Sequence, residues 1–169
     1  GACLLDGNFQ STEGALAGVS FYDGKADHAP FSYNTDHGFI LWMLSEHYFL
    51  TRDKAWLARV ADSIIAGCDF VTRERQATKD EVDGQRALEY GLMPAGHLED
   101  NDEWRYWFAV NAHAHLGIAY AAKALAEIDH PAAERLAAEA AEYKADILAA
   151  VERARVESPV VTLPDNTSL

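Results

Sequence analysis

Thr35-Asp36-His37-Gly38-Phe39-Ile40-Leu41-Trp42-Met43-Leu44-Ser45-Glu46-His47-Tyr48-Phe49-Leu50 opens with a helix-start signature and then turns apolar on every side. Thr35 is a good N-cap, because its hydroxyl can accept from a first-turn amide that has no helical partner. Asp36 then sets a negative charge at the positive end of the helix dipole. The unbroken apolar run 39–44 leaves that helix no wet side, the mark of a helix buried all round, with Trp42 and Met43 in the core. It should end near Leu50, with Thr51-Arg52 as the turn. Asp53 caps a second helix over about 54 to 74, where Leu57, Val60, Ala61, Ile64, Ile65, Cys68 and Val71 recur at three- and four-residue spacing. Arg59, Asp62 and Asp69 fall between them, so this helix has one apolar stripe and a wet back. Cys68, on the stripe, should be a packed thiol.

The same plan returns later in the chain. A third helix is expected from about 104 to 127, slim because of Ala112, Ala114, Gly117, Ala119, Ala121 and Ala122. Asp129-His130-Pro131 restarts the chain, with proline at a first-turn position. A fourth helix over about 131 to 155 carries Leu136, Ala140, Tyr143, Ile147 and Val151 on one stripe. Short turns force antiparallel neighbours, so the expectation is all-α, with two αα-hairpins (35–75 and 104–156) within residues 35–157 and little or no sheet. A long polar loop over 76–103 joins them. Residues 1–34 read as irregular, with a short strand around Val19-Ser20-Phe21-Tyr22 before the Asp23-Gly24 turn signal. After Pro159, residues 158–169 read as an extended tail. Two outer helices cannot cover a buried inner helix on all sides. The chain therefore reads as part of a larger layered helical assembly, or as a subunit that associates with another copy.

Composition narrows the function. At 169 residues and 18.6 kDa, with 49% hydrophobic and 24% charged residues, the chain is long enough for one globular core. Its formal net charge of −13 excludes the basic surface that nucleic acid requires, and it disfavours docking on an anionic membrane. No apolar run suits a membrane span, and the first residues carry no basic-then-apolar leader. A soluble chain, in the cytoplasm rather than exported, is the expectation. Cys3 and Cys68 are too few for a disulfide framework or a zinc site. The Asn166-Thr167-Ser168 acceptor triplet is of a kind common by chance.

Chemistry concentrates in Gly91-Leu92-Met93-Pro94-Ala95-Gly96-His97-Leu98-Glu99-Asp100-Asn101-Asp102-Glu103-Trp104-Arg105-Tyr106-Trp107-Phe108. Gly91, Pro94 and Gly96 make the first half a turn-rich loop. Carboxylates do acid/base work and aromatic faces stack on flat or sugar-like ligands. The structural alternative is capping: Asn101 or Asp102 as N-cap and Glu103 as a first-turn acid, with Glu99 and Asp100 further out. His113 and His115 are two apart on a helix and point to nearly opposite faces, so they cannot share a metal. No metal and no cofactor are expected.

Tyr33-Asn34-Thr35-Asp36-His37-Gly38, then Leu41-Trp42, His47-Tyr48-Phe49-Leu50-Thr51-Arg52-Asp53, Tyr90-Gly91-Leu92-Met93-Pro94-Ala95-Gly96 and Tyr106-Trp107-Phe108 with Asn111 together resemble the six-hairpin glycoside hydrolases. The resemblance spans roughly residues 33–157, about two hairpins' worth. It implies an (α/α)6 toroid, a double ring of inner and outer helices, of which this chain forms an incomplete part. It also implies a sugar cleft at the N-terminal ends of the inner helices. Parallel inner helices would bring Asp36 and His37 to the same rim as Glu99 and Asp100. Within that resemblance the general acid is Glu99, with Asp100 next, and the partner carboxylate is Asp36 or lies on a hairpin outside this chain. Trp104 and Trp107 as apolar walls would raise the acid's pKa, whereas a helix N-terminus would lower it. His37 and His97 either bond sugar hydroxyls or make ordinary structural hydrogen bonds. Trp104, Tyr106 and Trp107 supply the stacking surface for a carbohydrate substrate. The expected partners are that substrate and either a second copy or the rest of the ring. The alternatives are a sugar epimerase or lyase on the same ring, which would lean on histidines, or a non-catalytic helical scaffold that binds protein.

Overall fold

A computed structural model of the chain describes residues 19–20, 26–27, 35–98, 101–156 and 164. The described residues hold four helices: α1 (Thr35–Thr51), α2 (Lys54–Gln76), α3 (Phe108–Ala126) and α4 (Ala132–Ala154). Among the described residues, six short strands form three antiparallel two-stranded pairs. These are β1 (Val19–Ser20) with β2 (Ala26–Asp27), β3 (Glu81–Val82) with β4 (Gln85–Arg86), and β5 (Gly96–Leu98) with β6 (Asn101–Arg105). The chain is mostly helical, as the residue periods require. The rest of the expected irregular segment over 1–34, including Phe21 to Gly24, lies outside the described residues, as does the tail over 158–169 apart from residue 164.

Local chemistry sets the helix ends. Asp53 caps α2, its carboxylate accepting from the Trp56 amide at 2.9 Å. Arg52 (φ 57°) and Asp129 (φ 52°) take the left-handed conformation that reverses the chain within each hairpin. Thr35 is the first residue of α1 rather than the cap before it.

Each hairpin is antiparallel. His37 meets Gly67 and His47 stacks on Trp56 in the first, while Asn111 meets Tyr143 in the second. The two hairpins then lie side by side with like helices parallel. Gly38 faces the His113–Ala114 backbone, Leu41 faces Gly117, and Tyr48 and Arg52 reach Glu127, so α1 and α3 run the same way. Asp69 pairs with Arg135 and Arg75 with Asp146, so α2 and α4 do too. The α1–α3 contact is backbone against backbone. A Cβ on Gly38 would stand 2.4 Å from the His113 carbonyl carbon, and one on Gly117 would stand 2.7 Å from the Gly38 oxygen. Leu41, Tyr48, Leu57, Ile64, Val110, Ile118, Leu125, Leu136 and Tyr143 are sealed in one core between the layers. Cys68 is buried with them, and burial pushes its thiol well above the ordinary range.

Two expectations need correction. Helix α1 is not buried all round: Leu41, Leu44, Ser45 and Tyr48 face the core, but Phe39, Leu50 and Met43 (53% exposed) face outward. One parallel neighbour and one antiparallel neighbour do not encircle a helix. The second correction concerns residues 76–107, where short hairpins replace the plain loop and α3 begins at Phe108 instead of 104. Val110, Ala114 and Gly117 are the first residues with core to face, so helix has no packing advantage upstream of them. Asn101, Asp102 and Glu103 are strand residues and none of them caps α3. Its N-cap is Trp107, which makes no side-chain capping bond.

Candidate functional site

The parallel arrangement collects the N-terminal ends of α1 and α3, the C-terminal ends of α2 and α4, and the whole connector 77–107 at one end of the molecule. We refer to this end as the rim. The connector is stitched down along its length. Thr78 Oγ1 bridges to the Arg75 and Leu92 carbonyls at 2.9 and 2.6 Å. Asp83 (φ 54°) and Gly84 (φ 74°) make the tight β3–β4 turn, for which an Asp-Gly pair is well suited. Arg153 donates to the Ala87 and Leu88 carbonyls at 3.3 and 3.1 Å.

The Gly91–Met93 turn is the most heavily constrained part. Gly91 has φ +72°, and a Cβ there would lie 2.5 Å from the Asp146 carboxylate, so both conformation and space require glycine. Its carbonyl accepts from the fully buried Arg75, whose other nitrogens reach Glu139 and Asp146 at 2.5 Å each. The same guanidinium sits 4.6 Å from the centre of the Tyr143 ring. Asn111, also fully buried, is a three-way tie at the start of α3. Its Oδ1 accepts from the Met93 amide and the Tyr143 hydroxyl, and its Nδ2 donates to the Trp107 carbonyl, all at 2.7 Å. Burial raises the Tyr143 phenol far above its usual range and keeps it a donor. Sequence reasoning set Asn111 among the resembling residues and did not see this role. Arg75 carried no signal, because a charged residue near a helix end normally reads as solvated.

The proposed site residues divide as follows. Trp104 (56% exposed), Tyr106 (41%) and, at the start of α3, Phe108 (38%) are exposed rings, flanked by the equally exposed Glu103 and Arg105. Phe108 was not anticipated. Trp107 is half-buried and donates its indole N–H to the Gly96 carbonyl at 2.8 Å. Partial burial, then the charges of Glu89 and Asp80, push the Tyr106 phenol up, which sets both carboxylates within electrostatic reach of it. Glu103 and Arg105 pair at 2.6 Å on β6, holding the Glu103 carboxyl below its usual range.

His37 lies against α2. Its Nε2 bonds the Gly67 carbonyl at 2.9 Å, its ring rests on Phe70, and burial lowers its pKa to about 4. That bond gives His37 a structural role in joining α1 to α2. Asp36 sits half-buried in the first turn of α1. Glu99 and Asp100 lie outside the described residues. His97 contributes its backbone to β5. His113 packs on Phe39 of α1, while His115, its pKa lowered by burial and then by Lys144, faces Tyr143 of α4.

A groove of about 640 Å³ lies between α3 and α4, at the end opposite the rim. Alanine methyls from Ala119 to Ala140 line most of it. It lacks the exposed rings that a flat ligand would stack on, and so the rim is the better candidate. No protein-family model, characterised protein or solved structure matches this chain.

Proposed function

We propose that the chain supplies two hairpins of a six-hairpin carbohydrate-active ring, an incomplete (α/α)6 toroid, and that its rim forms part of the sugar cleft of a glycoside hydrolase. The observation that carries this reading is the exposed rings Trp104, Tyr106 and Phe108, held beside the N-terminal ends of two parallel helices. Aromatic faces bind the C–H faces of sugars, and a stitched loop holds them in place without an ordering cost at binding. The outward face of α1, with Phe39, Met43 and Leu50, is the side on which a further hairpin of the ring, or a second copy, would pack.

In this reaction Glu99 protonates the leaving glycosidic oxygen, and Asp36 or a carboxylate from another hairpin activates water or attacks the sugar. Spacing between the two carboxyls sets the course, about 5–5.5 Å for retention and about 6.5–9.5 Å for inversion. The histidine-based epimerase is less favoured, because a His37 ring with a pKa near 4 is neutral at pH 7 and its Nε2 is spent on Gly67. Glu99→Gln keeps size and removes the proton. It should lower turnover of an unactivated glycoside by about 10²–10⁴-fold and spare a glycosyl fluoride, whose leaving group needs no proton. Equal loss on both substrates, or on neither, removes Glu99 as the acid.

A further inference from the structure

The two hairpins leave one seat filled and one open. Helix α3 lies in the groove between α1 and α2 and packs on both, with its Tyr120 against Phe49 of α1. Counted from the left-handed turn residues Arg52 and Asp129, the second hairpin repeats the first. On that count Ala122, Ala126 and Ala137 take the places of Ser45, Phe49 and Val60. Ser45 and Val60 are sealed and Phe49 is half-buried, whereas Ala126 and Ala137 are exposed. Ala122, Ala126 and Ala137 line the groove between α3 and α4, the equivalent seat one hairpin on. Among the described residues nothing lies in it.

The opposite edge of the layer carries what such a seat would take. Met43 and Leu50 stand about 120–140° around α1 from Gly38, the residue that faces α3. Both are exposed, at 53% and 82%. On α3, Ala119 and Ala126 stand about 160–180° around from Gly117, which faces α1. One edge is a ridge of long apolar side chains and the other a groove of methyls, and each faces away from the α1–α3 contact.

We infer that α1 of a second copy of this chain docks in the α3–α4 groove, parallel to α3, as α3 itself docks between α1 and α2. The contact is head-to-tail, the ridge of one copy entering the groove of the next. Continuity with the packing inside the chain identifies the occupant. The seat repeats an interface whose other side is a helix of the same layer, and α1 is the helix of that layer whose far edge is exposed and apolar. Long side chains over alanine methyls fill space at interior density and take apolar surface out of water. A head-to-tail contact closes into a ring when its rotation allows. Three copies of two hairpins make six, so the assembly is a ring of three on the six-hairpin reading, on which this count alone rests. Each copy carries a formal net charge of −13, so the copies repel one another and salt strengthens the contact by screening that repulsion.

The test is mass by light scattering from micromolar to submillimolar concentration, at two salt concentrations. It compares the wild type with Met43→Glu on the ridge and Ala137→Glu in the groove, both exposed positions, with helical content checked by circular dichroism. The wild-type mass should rise with concentration from 18.6 kDa toward three times that value, and rise sooner at higher salt. Each variant should need about tenfold or more concentration to associate, because the contact would strip water from a carboxylate. Mixed together, the two variants should form a 1:1 heterodimer and nothing larger, since one intact ridge then meets one intact groove. A wild-type mass of 18.6 kDa throughout overturns the inference and leaves the groove to a hairpin of other sequence. Association that Ala137→Glu leaves intact also overturns it, being the mark of a two-fold contact or of another face. A head-to-tail assembly that does not stop at three keeps the contact and overturns the count of six hairpins.

Discussion

The two ends of the helical layer are closed by different physics. At the turn end, two tight reversals at Arg52 and Asp129 do the work, with one cap at Asp53 and an exposed cluster in which Glu127 receives Tyr48 and Arg52 at 3.0 and 2.8 Å. At the rim, roughly thirty connector residues are fastened by buried polar groups far apart in sequence: Arg75, Asn111, Tyr143 and Asp146. The turn end is wet, so its parts are individually cheap even where Glu127 reaches across to Tyr48 and Arg52. The rim is drier, so each of its buried partners costs more when left alone. The connector is also far longer than the few residues that joining two helices requires.

The comparison predicts unequal losses. Arg75→Ala removes the buried guanidinium from Glu139 and the Gly91 carbonyl, leaves Asp146 only the more distant Lys79 and Arg86, and should cost about 3–5 kcal/mol in urea unfolding. Next comes the buried ring at the start of α1. His37 has a folded pKa of about 4 against 6.5 in the open chain, so the unfolded state binds the extra proton between those values. Stability is therefore complete above pH 6.5 and falls as pH drops toward 4, by roughly 3 kcal/mol at about 1.4 kcal/mol per unit. His115 acts in the same direction. His37→Gln should flatten most of that slope in a pH series of denaturant midpoints, and an unchanged slope would refute the assignment. Gly38→Ala drives a methyl into the α3 backbone and should cost about 1–3 kcal/mol by thermal melting, with no change in helix content at low temperature. At the turn end, Asp53→Ala should cost about 1 kcal/mol by loss of the cap. Arg52→Ala, in an exposed and solvent-screened pair, should cost least of all. If the Arg52 loss matched that of Arg75, the contrast between the two ends would collapse.

The same contrast explains what the sequence made legible. The four helices, the Asp53 cap and the stripe from Leu57 to Val71 follow from local period and short-range hydrogen bonds, and their bounds agree to within a few residues, except where α3 begins. The helical pattern through Phe108, Val110 and Ile118 extends by eye back to Trp104, but residues 101–105 are paired as a strand and α3 starts only at Phe108. The network around Arg75 joins residues sixty and seventy positions apart, and no local window contains it. At the candidate site, the aromatics could be read as exposed or stacking, whereas the pull of Asp80 and Glu89 on Tyr106 depends on how the connector folds back. The unbroken apolar run 39–44 places Trp42 and Met43 in the core, but a run does not reveal how many neighbours a helix has, and Met43 is exposed and Trp42 half-buried.

The most direct test of a rim built to receive a sugar is a titration of the ¹⁵N-labelled chain with a neutral oligosaccharide, followed by amide and indole chemical shifts. The account predicts shifts clustered at the Trp104 indole and at the amides of residues 80–108, weakened in Trp104→Ala, with residues 51–54 and 127–131 unmoved. Shifts centred on the turn end or on the alanine-lined groove between α3 and α4, or no shifts with any neutral glycan, would contradict it.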